Sequence, residues 1–204
     1  LIMENKMTSM VELYDDLVAK HDHSRKGFTD KHLPYHTYIS YYDKEFEKYR
    51  KSVKLLEIGV WRGGSMLLWT KFFAKYKLEG LDINATTLDG FDFKDMMKDD
   101  KNVKWHLGYS STDAEYCKNF KKGYFDVIVD DGAHDVHTQF ETFKIYFDKL
   151  AKDGTYYIED VLNDESMEEL KQLISNHMLD GVTLDVYKGN IGRADDLILK
   201  IQRK

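Results

Sequence analysis

Short apolar runs alternate with amphipathic stretches along this chain from residue 53 onwards. Runs of strand length predict seven β-strands, at residues 53–58, 77–83, 103–107, 125–130, 155–158, 182–187 and 196–201. Apolar positions at helical spacing predict helices at residues 11–20, 38–50, 65–76, 91–98, 113–120, 136–150 and 166–178. A glycine-containing turn joins the last two strands, which indicates an antiparallel pair at the edge of the sheet. The alternation is typical of an α/β protein with a doubly wound, mostly parallel sheet.

The N-terminal part of the chain does not follow this alternation. Between its two predicted helices, residues 21–37 are polar, aromatic and irregular. A connection of this length in a compact domain is usually functional, so we interpret it as a flap over a ligand, with His36 and Tyr38 as contacts. Packing of its aromatic side chains onto the sheet is the alternative. We therefore divide the chain into a helical extension with a flap, residues 1–50, and a main domain, residues 51–204.

Composition narrows the function. The length of 204 residues and the hydrophobic content of 42% suit one α/β domain with a sizeable core. The net charge of −6 and the lack of a basic stripe argue against a nucleic-acid partner. With neither a long apolar stretch nor a secretory signal, we expect no membrane association. A lone cysteine, Cys117, excludes a disulfide framework and fits the cytoplasm.

Two acidic clusters come directly after predicted strands. Asp130, Asp131 and His134 follow the fourth strand, and Glu159 and Asp160 follow the fifth. Since a strand–helix–strand unit places its strands parallel and usually adjacent, we expect these side chains to converge at one edge of the sheet. Several carboxylates in one crevice are costly unless a positive group lies among them. A divalent cation is the simplest candidate, and all-carboxylate ligation favours Mg²⁺.

A glycine-rich turn, EIGVWRGGS at residues 57–65, connects the first strand to a helix. This arrangement binds nucleotide-like ligands, although the glycines alone would also make a tight turn. Trp61 stands where the dinucleotide fingerprint has its second glycine, which disfavours a pyrophosphate. The carboxylate of Glu57 suits a cationic ligand such as a sulfonium–amino acid. Asp82 ends the second strand, where an acid can accept both ribose hydroxyls.

These motifs resemble those of class I S-adenosylmethionine-dependent methyltransferases, which have a Rossmann-like fold. More narrowly, they resemble the metal-dependent O-methyltransferases that modify macrolide sugars, of the mycinamicin and macrocin type. The segments that carry the resemblance are LEIGV at residues 56–60, VIVDDGAH at 127–134, YIEDV at 157–161 and RADDLIL at 193–199. A Thr-Asp-Lys…His…Tyr segment at residues 29–38 also resembles the one that precedes the core in related enzymes. The chain departs from the pattern in having Ala133 where serine is common, and it is shorter than the macrolide enzymes.

The resemblance implies a role for each group of residues. Asp131, Glu159 and Asp160 would bind Mg²⁺, and His134 would be the base. The expected contacts with S-adenosylmethionine are Glu57, Gly59, Gly63, Ser65, Asp82, Gly108, Ser110 and Asp130, the last of which is also interpreted as a supporting residue. Position in the chain gives the expected acceptor contacts, which are His36 and Tyr38 of the flap and Arg193 in the turn before the last strand, with plain surface as the alternative for that turn.

The leading hypothesis is a Mg²⁺-dependent O-methyltransferase that moves a methyl group from S-adenosylmethionine to a hydroxyl of a sugar or glycoside. A bound cation can lower the pKa of the acceptor hydroxyl, and a nearby base can take its proton. The partner would be a small molecule or glycan with a free hydroxyl, and a homo-oligomer is considered because related enzymes often assemble. The alternatives are a catechol-like acceptor, a nicotinamide-dependent oxidoreductase, which Trp61 disfavours, and a non-catalytic binding module.

Overall fold

A seven-stranded sheet forms the centre of the protein in a computed structural model, which describes residues 8–21, 25–85, 93–179 and 181–204. The strands β1 to β7 are, in chain order, Val53–Ile58, Tyr76–Asp82, Val103–Leu107, Phe125–Asp130, Leu150–Ile158, Val182–Lys188 and Leu197–Arg203. Their order across the sheet is β3-β2-β1-β4-β5-β7-β6. The first five strands pair in parallel, whereas β7 runs antiparallel to both β5 and β6. The predicted fold class is therefore confirmed.

The helices α1 to α6 are Met10–Lys20, Arg25–Phe28, Tyr38–Glu45, Gly64–Phe72, Val136–Tyr146 and Asp164–Met178. Short 3₁₀ helices lie at Glu47–Tyr49, Phe93–Met97, Tyr116–Asn119 and Phe147–Lys149. Two of them, Phe93–Met97 and Tyr116–Asn119, replace the longer helices predicted at residues 91–98 and 113–120. Residues 91 and 92 lie outside the described residues. At 113–120, the Asp113 side chain accepts the backbone N–H groups of Glu115 and Tyr116, which closes a tight turn. No helix in the described ranges has the length and apolar character that a membrane crossing needs.

Both faces of the sheet are covered by a hydrophobic core. Helices α1, α3 and α4 contribute to one core, and α5 and α6 contribute to the other. In the first core, the rings of Tyr42 and Phe46 stack with centroids 4.6 Å apart and meet Trp69 and Tyr157 edge-on. The N-terminal extension is thus packed into the core of the sheet. The division at residue 50 stays a prediction.

The packing of α3 gives a test of stability. Ile39 is fully buried in the first core, whereas its neighbour Ser40 is exposed. We expect Ile39→Ala to lower the free energy of unfolding by about 2–5 kcal/mol, because it removes buried methyl groups and leaves a cavity. The control Ser40→Ala should change it by less than about 0.5 kcal/mol. Urea denaturation followed by circular dichroism measures both, and a small effect of Ile39→Ala would contradict the packing described.

Candidate active site

The carboxyl ends of β1, β4 and β5 lie side by side in the middle of the sheet. The backbone N–H of Asp131 donates to the carbonyl of Ile58 at 2.8 Å, and that of Glu159 donates to the carbonyl of Asp130 at 2.9 Å. Asp160 then leaves the ladder with a left-handed φ of 52°. These bonds place Asp131, Glu159 and Asp160, called the acidic edge below, where the strand order reverses. Open α/β sheets bind their ligands at this point.

A positive group of the protein itself lies at the acidic edge. The Nζ atom of Lys31 is 2.5 Å from Asp131 Oδ2 and 2.5 Å from Glu159 Oε2. It is also 3.5 Å from Oε1 of Glu57 in β1. The lysine is only 1% exposed, so its ammonium has exchanged water for these carboxylates. Sequence reasoning assigns Lys31 no role, and the only signal for it is its place in the Thr-Asp-Lys segment.

The structure brings the three predicted metal ligands together, but their carboxylates have different hydrogen-bond and ion-pair partners. Both oxygens of Glu159 have protein partners, since Oε2 contacts the buried ammonium and Oε1 accepts the Tyr42 hydroxyl at 2.6 Å. Asp131 Oδ1 and Asp160 Oδ2 each lie 3.7 Å from Nε2 of His134. One ligand atom each from Asp131, His134 and Asp160 lies within 4.8 Å of the other two. This span fits a divalent cation. The ligand roles themselves stay predictions.

The carboxylate pKa values at this edge reflect burial first and the neighbouring charges second. Burial, followed by repulsion from Asp131, raises the pKa of Asp160 to about 7. Burial also raises the pKa of Glu159, although the ammonium of Lys31 opposes it. The contact with Asp131, against the effect of burial, raises the pKa of His134 to about 9. The raised pKa of His134 favours its protonated form beside Asp131 at neutral pH.

A cavity of about 440 Å³ opens beside the acidic edge. Its lining includes Asp82 and Ser110 from the expected cofactor contacts, and Asp131 and His134 from the expected catalytic group. Gly59 also lines the cavity, with a φ of 80°. A Cβ atom there would lie 1.9 Å from the carbonyl oxygen of Asp131, so only glycine fits. The apolar walls come from Ile58, Leu81, Ile83 and Tyr109, none of which is among the expected contact residues.

The backbone of the glycine-rich turn holds the carboxylate of Asp82 in place. Oδ2 accepts the N–H groups of Val60 at 3.0 Å and Trp61 at 2.8 Å. Oδ1 accepts the N–H of Asn84 at 2.8 Å. A carboxylate oxygen can accept more than one hydrogen bond. Asp82 can therefore also accept hydroxyl groups of a ligand in the cavity.

Five expected cofactor contacts lie outside the cavity lining described: Glu57, Gly63, Ser65, Gly108 and Asp130. Glu57 is fully buried and accepts the Ser65 hydroxyl at 2.6 Å and the indole N–H of Trp69 at 2.8 Å. Asp130 accepts the Tyr156 hydroxyl at 3.1 Å, and burial raises its pKa to about 7. Glu57 thus ties β1 to α4, and Asp130 also accepts the N–H of Gly132 in the turn that lines the cavity. Direct contact of these five residues with a cofactor stays a prediction.

Two of the three expected acceptor contacts are buried next to Asp160. The Tyr38 hydroxyl lies 2.7 Å from Asp160 Oδ1 and 2.8 Å from the carbonyl oxygen of Asp195. The ring of His36 stacks on Tyr38, and its Nε2 is 3.5 Å from Asp160 Oδ1. Arg193 is exposed and forms two hydrogen bonds to Asp195, at 2.7 and 2.9 Å. His36 and Tyr38 therefore position a carboxylate of the acidic edge, and contact of all three with an acceptor stays a prediction.

Comparison with known proteins identifies similar sequences, although no family model matches the chain. Mycinamicin VI 2''-O-methyltransferase of Micromonospora griseorubida is 31% identical over 150 residues, which is 68% of this chain and 35% of that protein. Demethylmacrocin O-methyltransferase of Streptomyces fradiae is 31% identical over 134 residues, which is 62% of this chain and 32% of that protein. The chain thus spans about a third of the length of these relatives.

Solved structures show the same architecture. MycE methyltransferase from the mycinamycin biosynthetic pathway, in complex with Mg, SAH and mycinamycin VI, aligns with a TM-score of 0.70 and 24% identity over 97% of this chain and 55% of that chain. The SAH-bound Podospora anserina methyltransferase PaMTH1 aligns with a TM-score of 0.61 and 18% identity over 96% of this chain and 87% of that chain. The fold is the α/β methyltransferase fold. Within it, the predicted resemblance to the macrolide-sugar O-methyltransferases is confirmed.

The buried carboxylate of Glu57 gives a paired test of how the site is supported. Trp69→Phe removes the indole N–H that Glu57 accepts. Trp105, which is partly buried, is the control because its Nε1 has no hydrogen-bond partner among the described residues. We expect Trp69→Phe to lower the free energy of unfolding by about 2 kcal/mol more than Trp105→Phe does, since it leaves a buried charge short of a donor. Urea denaturation compares the two variants, and equal losses would show that this hydrogen bond does not stabilise the site.

Proposed function

We propose that this chain transfers a methyl group from S-adenosylmethionine to a hydroxyl of a sugar or glycoside, assisted by Mg²⁺. The observation that carries the proposal is that one cavity joins Asp82 to His134 and to Asp131 of the acidic edge. A methyl donor and a hydroxyl activated by the acidic edge would therefore meet in the same space. The similarity to enzymes that methylate sugar hydroxyls of macrolides and other glycosides supports this choice of acceptor.

The cofactor half of the cavity suits the adenosyl group. Asp82 would accept the ribose hydroxyls, and the apolar walls from Ile83 and Tyr109 would cover the adenine ring. Gly59 lines the same cavity and lets this turn approach the carbonyl of Asp131. A carboxylate-rich neighbourhood also favours a sulfonium cation over its neutral product, because opposite charges attract more strongly away from water.

The acceptor half contains the groups that would activate a hydroxyl. Asp131 and Asp160, with Glu159 as the third predicted ligand, would hold the cation. When bound, the cation would lower the pKa of a coordinated hydroxyl. His134 lies between the two aspartates and is half exposed. Compensation of their charge would favour its neutral form, which can accept the hydroxyl proton.

Cofactor binding is the first test of the proposal. S-adenosylhomocysteine should bind the purified protein in calorimetric titration, and Asp82→Ala should weaken the binding at least about tenfold, because a charge-assisted hydrogen bond is worth about 1.5–3 kcal/mol. The control Asp95→Ala changes an exposed acid outside the cavity lining described and should leave the affinity unchanged. Binding of NAD without binding of S-adenosylhomocysteine would overturn the proposal in favour of an oxidoreductase.

Methyl transfer is the second test. Labelled S-adenosylmethionine and a panel of macrolide glycosides and simple glycosides should give a methylated sugar with Mg²⁺ and little product with EDTA. His134→Ala should lower kcat by about 10²–10⁴-fold, the usual range for a lost general base, with little change in affinity for S-adenosylhomocysteine. His177→Ala, at an exposed position on α6, is the control. Full activity in EDTA would contradict the role of the cation.

A further inference from the structure

We propose that Lys31 is a built-in counter-ion that competes with the divalent cation for the carboxylates of Asp131 and Glu159, and so weakens metal binding by this chain. The proposal rests on the proposed function, because that function supplies the cation. It starts from the two 2.5 Å contacts of the Lys31 ammonium. An ammonium and a metal ion cannot occupy the same side of a carboxylate oxygen at the same time.

The position of Lys31 is fixed by the fold. Its carbonyl accepts the N–H of Ile39 at 3.0 Å, which ties the flap to the start of α3. Earlier in the flap, the carbonyl of Phe28 lies so close to Gly64 that a Cβ on this glycine would be 1.7 Å from it. The side chain of Lys31 is 2% exposed. The ammonium is therefore shielded from water in this conformation, and its charge is held beside the carboxylates.

The contacts of Glu159 and Asp131 indicate where the two cations would compete. Glu159 uses Oε2 for Lys31 and Oε1 for the hydroxyl of Tyr42, so both of its oxygens are engaged. Asp131 binds Lys31 through Oδ2 and directs Oδ1 towards His134. A cation placed with Asp131, His134 and Asp160 would thus share the carboxylate of Asp131 with Lys31. To gain Glu159 as a ligand, it would have to displace the ammonium.

The charges that face Lys31 set the sign of the effect. Glu57, Asp131 and Glu159 lie within 3.5 Å of its Nζ, and Asp30 acts on it at longer range. One positive charge among these acids leaves the edge net negative, so a cation is still attracted. The ammonium nevertheless repels a dication a few ångströms away, and in a buried site such a repulsion is strong. Removal of the positive charge should therefore tighten metal binding.

Mn²⁺ binding to the metal-free protein tests this inference without any methyl transfer. The titration is followed by electron paramagnetic resonance of free Mn²⁺ and compares wild type with Lys31→Gln, which keeps a donor for the carboxylates, and with Lys31→Met. Both variants should bind Mn²⁺ at least about tenfold more tightly. The double variant Lys31→Gln/Glu159→Gln should return towards wild type, because it removes one charge of each sign. Lys149→Met, which removes another buried lysine that pairs with Asp148 at 3.1 Å, should not change the affinity.

Unchanged or weaker Mn²⁺ binding in Lys31→Gln would overturn the inference and leave Lys31 as a structural ion pair. If neither single variant folds without metal, circular dichroism with added Mn²⁺ decides: recovery of the helical signal supports replacement of the ammonium by the cation, and lack of recovery overturns it. Binding of S-adenosylhomocysteine to wild type separates the two proposals. A protein that binds it but shows no effect at Lys31 refutes this inference alone, whereas a protein that does not bind it refutes the proposed function.

Discussion

One buried ammonium allows three neighbouring strands to place acids in the interior of the protein. Carboxylates taken out of water are costly unless each has a partner. Lys31 provides that partner for Glu57 of β1 and for the acids that follow β4 and β5. Hydroxyl or indole groups donate further hydrogen bonds to Glu57 and Glu159. The rest of the site depends on this arrangement, because the turns that carry Gly59 and His134 directly follow Glu57 and Asp131 in the chain. The remaining negative charge is what makes the edge attractive to a cation.

The N-terminal extension is part of this site as well as part of the core. It supplies Lys31 and the hydroxyls of Tyr38 and Tyr42, each of which reaches an acid more than a hundred residues away along the chain. The same helix that carries the two tyrosines packs its apolar side against the sheet. Packing and electrostatics are therefore coupled, since a shift of α3 would change both.

Much of this arrangement follows from the sequence. Strand periodicity and the strand–helix–strand rule are enough to predict the sheet and the convergence of Asp131 and Asp160 on one edge. They do not predict the path of a loop, so Lys31 could not be placed beside those acids. Nor do they predict side-chain direction: Glu57 faces Ser65 and Trp69 instead of the cavity, and the expected helix at residues 113–120 is a single turn closed by Asp113. The charge state of His134 depends on side-chain contacts such as the one with Asp131, which cannot be predicted from periodicity.

The contacts around Asp196 connect the N-terminal extension to the C-terminal part of the chain. The backbone N–H and the hydroxyl of Thr37 donate to this buried carboxylate at 3.0 and 2.9 Å, just before β7 begins. Tyr38, the next residue, contacts Asp160 and the same C-terminal segment. A ligand that stabilises the acidic edge therefore also favours the contact between the N-terminal extension and this C-terminal segment. Occupancy of the site and the folding equilibrium of the whole chain are thermodynamically linked, so the native state gains stability with the logarithm of the ligand concentration above Kd.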